Sequence, residues 1–223
     1  MRHVAVLKGQ ADVLENIAPC FVGDAARIKK LGDEWVLESS TFNSCGEPVE
    51  VFPIADDVLL LVHRILALYC CLYSPFSVEY IQSFDAEGVP RWRGIRGRLP
   101  VNVYSSKALS ELAHPSGGQS LGSAIAQNAV SDPAVNEALQ HCGDKEIGWS
   151  QIYDIIEFVG GANEIAGAEW ANKNRTRHIR QTANHYRHLG SRKRYPLPAK
   201  PPTIDEARIF ARDLLKYWMA SRL

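Results

Sequence analysis

Two periods of apolar residues organise the first half of the chain. His3 to Leu7 and Glu34 to Glu38 (EWVLE) read as short strands bounded by turn-forming Gly and Asp. Asn43-Ser44-Cys45-Gly46 is a turn signal. The period then changes: Ala55 to Cys71 carries Leu59, Val62, Ile65, Leu66 and Tyr69 at helical spacing. Phe76 to Phe84 (FSVEYIQSF) alternates in strand fashion, Asp85-Ala86-Glu87-Gly88 turns the chain, and Trp92 to Tyr104 supplies one or two further strands. Residues 1–115 are thus predicted to form a small antiparallel sheet with a helix against it.

Ser116-Gly117-Gly118-Gln119-Ser120 is small, polar and glycine-rich, which marks a boundary between halves. Beyond it, residues 121–223 read as helices only. Leu121 to Val130 is the first, and Asp132-Pro133 opens the second with a cap residue and a proline at the first helical position. Trp149 to Val159 sets Ile152, Ile155, Ile156 and Val159 on one face, and Gly160-Gly161 stops it. Asn163 to Ala171 is a short helix, and Arg175 to Leu189 a long basic one ended by Gly190. After the proline-rich Tyr195 to Pro202, Thr203-Ile204-Asp205-Glu206 is a capping box. The helix it opens presents Ala207, Phe210, Ala211, Leu214 and Trp218 on one apolar face. The expected class is α+β and rich in helix.

Composition limits this picture little. At 223 residues and 46% hydrophobic, the chain can bury a core, and whole-chain disorder is excluded. Met1 to Gln10 lacks a signal-peptide pattern, and Val58 to Tyr73, interrupted by His63 and Arg64, is too short to span a bilayer. The five cysteines show no C-x-x-C spacing and read as reduced, buried thiols, which points to a cytoplasmic protein without membrane association.

Charge changes it more. Lys+Arg and Asp+Glu balance at 25 each, yet Asn172 to Lys200 holds nine basic residues and no acidic one. The rest of the chain carries 16 basic against 25 acidic residues. Such polarity attracts polyanions through phosphate contacts that release counterions. A solvated basic helix folded against the acidic remainder of the same chain explains the pattern equally. Three of seven histidines, His178, His185 and His188, share this segment, and histidine is the side chain suited to proton transfer near neutral pH. On a helical wheel, Ile179, Ala183 and Tyr186 form a narrow core stripe, with Arg180 and Arg187 on one flank and His178 and His185 on the other. Arg177, Gln181 and His188 point away from the core. Arg180 and His185 stand about 140° apart, so one helix does not converge them, whereas two helices meeting at a two-fold seam would.

Arg180-Gln181-Thr182-Ala183-Asn184-His185 has the form Arg, four residues, His, on a helix of an all-helical module. It resembles the signature of the HEPN superfamily, over roughly Leu121 to Leu223. The resemblance implies a four- or five-helix unit that dimerises, and for many members a metal-independent ribonuclease of toxin–antitoxin, CRISPR-associated or antiphage systems. It implies His185 as general acid or base, Arg180 as stabiliser of phosphate charge, and Asn184 as an orienting group. Arg177, Arg187, His188, Arg192, Lys193 and Arg194 would hold the RNA backbone. The Arg187-His188 pair is an alternative placement of the same element. The bland reading is a non-catalytic HEPN-like module that binds nucleic acid or regulates a protein partner. No cofactor or metal is called for: H-E-x-x-H and D-x-D patterns are absent, and Gly117-Gly118 lacks the Lys-Ser/Thr of a phosphate loop. His141-Cys142 has no supporting pattern as a catalytic pair, and Trp92 reads as a sheet-packing residue rather than an RNA platform beside Arg93 and Arg96.

Overall fold

The computed structural model describes residues 1–73, 76–95, 109–113, 115–116, 119–142, 146–188 and 195–223. In chain order these hold β1 (Arg2–Gly9), α1 (Ala11–Ile17), β2 (Arg27–Leu31), β3 (Glu34–Glu38), α2 (Val51–Cys70), β4 (Phe76–Phe84) and β5 (Pro90–Ile95). There follow α3 (Leu109–Ala113), α4 (Leu121–Ser131), α5 (Pro133–Gln140), α6 (Trp149–Phe158), α7 (Gly161–Gly167), α8 (Lys173–Arg187) and α9 (Ile204–Ala220). The protein is α+β. It divides into two units, Met1–Asn136 and Glu137–Leu223, the division falling inside α5.

In the first unit the sheet order is β2-β3-β1-β4-β5, with every pairing antiparallel. Strands β3 and β4 keep the bounds read from their alternation. One face buries Val4, Val6, Val36 and Tyr80 together. Helix α2 packs against β1 and β4 and buries Ala55, Val58, Leu59, Val62, Ile65 and Leu66 at helical spacing. Strand β2 and helix α1 were not legible in the pattern. β2 (RIKKL) is an edge strand with a single fully buried residue, Ile28, and its lysines suit an edge that must stay in solvent. Trp92 is partly exposed and lies over Gly94, edge-on to Phe52 at 6.5 Å.

Helix α4 is fixed to the loop after α1. Ser120 caps it, accepting from the Ser123 amide, and donates to the Cys20 carbonyl at 2.6 Å. Ser123 Oγ accepts from the amides of Val22 and Gly23. At Gly122 a β-carbon would come within 2.4 Å of the Cys20 carbonyl oxygen, so the approach requires glycine. Gly117 and Gly118, at the centre of the expected boundary, lie outside the described residues, as do Arg96, Val101 to Tyr104 and Gly190.

In the second unit α8 packs against α6 and α7, and α6 against α9. Ile152, Ile155 and Ile156 from α6 meet Phe210, Leu214 and Trp218 from α9 as buried residues, with the Phe158 and Trp218 rings 5.1 Å apart. Thr203 and Glu206 form the capping box read from the sequence. Two expectations change. The short helix spans Gly161–Gly167 rather than Asn163 to Ala171, because Glu169 turns left-handed (φ 59°) and the Trp170 amide reaches back to the Ile165 carbonyl, closing the helix. On α8, Tyr186 leaves the core stripe: it is 38% exposed and stacks on Trp149, ring centroids 5.2 Å apart. Thr176, Thr182 and His185 are buried instead. The threonines can be, because their hydroxyls donate to the Asn172 and His178 carbonyls one turn back.

Candidate nucleic-acid interface

Helix α8 starts at Asn172, whose side-chain oxygen accepts from the Asn174 and Arg175 amides. Its fifteen residues carry the cations of the segment on three sides, and each side has a different fate.

Toward α6, Arg180 and Arg187 lie seven residues apart, two turns on one flank. Arg180 Nε donates to Glu157, and Arg180 Nη2 to the Tyr153 hydroxyl at 3.3 Å. Arg187 Nη1 donates to Asp154 at 3.0 Å. Both guanidinium groups lie over the same Tyr153 ring, at 5.4 and 4.8 Å from its centroid. The Glu157 carboxylate raises the pKa of Arg180 above its already high value. No motif in the sequence marks Tyr153, Asp154 and Glu157; their spacing on α6 puts them on one face opposite α8.

On the solvent side, Arg177, Arg180, Gln181 and Asn184 line a shallow depression of about 340 Å³. Arg177 is exposed and has no carboxylate in ion-pair range among the described residues. Gln181 donates to the Pro196 carbonyl at 2.9 Å. A second depression of about 340 Å³ is lined by Arg175, His178, Lys200 and Glu206, with Arg175 5.3 Å from the Phe210 ring centroid.

His185 sits on the third side. The residue is 9% exposed, and Nδ1 lies 2.6 Å from the Tyr195 carbonyl oxygen. A carbonyl only accepts, so Nδ1 carries the proton and the neutral ring keeps its lone pair on Nε2. His188, the residue after the helix, is exposed and stacks on the Tyr195 ring at 5.0 Å. Arg180 and His185 therefore face different neighbours and are not brought together within one chain. Asn184 lies on the Arg177 and Arg180 side, away from His185. Arg192, Lys193 and Arg194 lie outside the described residues.

Among the described residues no group of three His, Cys, Asp or Glu side chains is placed to hold a metal ion, and no helix is long and apolar enough to cross a membrane. The chain matches no family model, no curated protein and no solved structure.

Proposed function

We propose that the C-terminal unit is a HEPN-like module that binds single-stranded RNA along α8. The observation that carries this reading is the row of exposed Arg177 and Gln181 with half-buried Arg180 and Asn184 along one shallow depression, in a segment with no acid of its own. Guanidinium groups supply bidentate contacts to phosphate, and the amides supply donors for sugar or base edges. Lys173 lies one turn before Arg177 on α8, Arg175 and Lys200 line the second depression, and Arg192 to Arg194 add further positive charge to the segment in the sequence. The test is a titration with fluorescent oligouridine at several salt concentrations. Affinity should fall steeply with salt, and Arg177→Glu should lower it about tenfold or more at low salt. Retention indifferent to both would leave the solvated-helix reading.

Metal-independent cleavage is the second reading, and the tautomer of His185 favours it. A lone pair held on Nε2 is what a general base at a ribose 2′-OH requires. Since Arg180 faces the other way, cleavage on this reading needs a second copy, or a similar module, to supply the arginine across a seam. The products would carry 2′,3′-cyclic phosphate and form in the presence of EDTA. RNA left intact under all conditions, while still bound, would reduce the function to binding. The cellular setting (toxin, antiphage defence or regulation of a protein partner) belongs to the same proposal.

A further inference from the structure

The arginines of α8 differ in their partners, and the difference follows the face. Arg177, Lys173 and Lys200 meet no carboxylate in ion-pair range among the described residues, whereas Arg180 and Arg187 each take one from α6. We infer that Glu157 and Asp154 are built-in stand-ins for RNA phosphates, holding Arg180 and Arg187 closed until the nucleic acid displaces them. The inference rests on the RNA-binding reading above and adds its regulation.

Geometry makes the exchange possible. Both ion pairs lie at the surface, with all four side chains between 37% and 44% exposed. Pairs this open are weak, because water screens them and long side chains lose freedom in making them. A carboxylate and a phosphate offer a guanidinium the same acceptor pattern, so one replaces the other without the arginine changing shape. Tyr153 makes the exchange more than a loss of partners. Its ring lies under both guanidinium groups, and its hydroxyl accepts from Arg180. The backbone positions stand two helical turns apart, about 10 Å along the axis, and the shared ring still supports both guanidinium groups after the carboxylates have let go. Arg180 also borders the depression lined by Arg177 and Asn184, so RNA seated there lies beside the first pair. The acids thus tax every weak or short anion, while an RNA strand that already engages Arg177 recruits Arg180 and Arg187 as additional contacts.

The test is a set of double-mutant cycles on the full chain, read by oligouridine affinity. Glu157→Gln should tighten binding several-fold at low salt, more than Glu164→Gln, which removes the same charge from exposed α7 without freeing an arginine. In the Arg180→Gln background the gain from Glu157→Gln should vanish. Removing both recruited cations with Arg180→Gln and Arg187→Gln should flatten the dependence of log affinity on log salt by up to about 1.4, the loss of two single-strand phosphate contacts, whereas Glu157→Gln with Asp154→Asn should raise affinity at nearly unchanged slope. Asp154→Asn with Arg187→Gln repeats the cycle on the second pair, in case a variant of the first does not fold. Equal effects of Glu157→Gln and Glu164→Gln, with the wild type still binding, would overturn the masking and leave the RNA-binding reading intact. If oligouridine binds neither the wild type nor the freed variant, both fall together.

Discussion

The ring of His185 is tied by Nδ1 to the backbone carbonyl of Tyr195, 2.6 Å away. One contact thereby gives the histidine two roles: it holds the return of the chain after α8, and it sets the tautomer.

The two roles are separable by substitution. His185→Ala should cost about 1–2 kcal/mol of stability, since it removes a hydrogen bond and a buried ring. His185→Asn keeps an N–H where Nδ1 stands but has no second ring nitrogen. It should recover most of that stability in a denaturant titration while abolishing any EDTA-resistant cleavage. Cleavage that survives in His185→Asn and stops in His188→Ala would move the chemistry to the exposed, Tyr195-stacked ring.

In the first unit, burial lowers the pKa of His63 to about 4, with the Phe76 backbone opposing weakly. Its Nε2 is buried and has no hydrogen-bond partner among the described residues, and its ring meets Phe76 edge-on at 4.9 Å. A histidine depressed in the folded state favours folding only while neutral. Its contribution is present above the unfolded value near 6.5, falls as pH drops from there to about 4, and is then lost. The span corresponds to stability on the order of 3 kcal/mol. His63→Phe, which keeps the ring contact, should flatten the stability curve over that window relative to wild type. Parallel curves would place the pH dependence on other groups.

Gly122→Ala should destabilise the first unit by about 1–3 kcal/mol, because the new methyl meets the Cys20 carbonyl at 2.4 Å and backbone on both sides must shift. Gly167→Ala, where a β-carbon finds open space and no positive φ is needed, is the neutral comparison. Equal melting temperatures for the two would show that the α4 end yields easily.

Trp218 is 6% exposed beneath Phe158, and Trp218→Ala should cost about 3–5 kcal/mol. Tyr217, its neighbour, is 52% exposed, so Tyr217→Ala should change little. A thermal melt of each checks the helical phase of α9.

Much of the architecture follows from local pattern. Alternation over Glu34–Glu38 and Phe76–Phe84 defines two strands, and the Thr203–Glu206 capping box with the Phe210, Leu214 and Trp218 stripe defines the last helix with its buried face. Those signals are local because a strand's period, a cap and an amphipathic face are each complete within a few residues. Edge strand β2 escaped because its lysines face solvent and leave almost no apolar alternation to read. The polarised charge of residues 172–200 was also legible, since counting charges needs no contacts. Which of those charges are free was not. Glu157 and Asp154 come from a helix more than twenty residues away, and they divide the arginines of α8 into paired and open ones. Tyr195, likewise remote in helical terms, buries His185 where the wheel left it on the flank, while Tyr186 turns out onto Trp149. The sequence determined that α8 is a basic helix bearing Arg180 and His185. Tertiary packing decided which way each is held, because a side chain's partner depends on what the rest of the chain sets beside it.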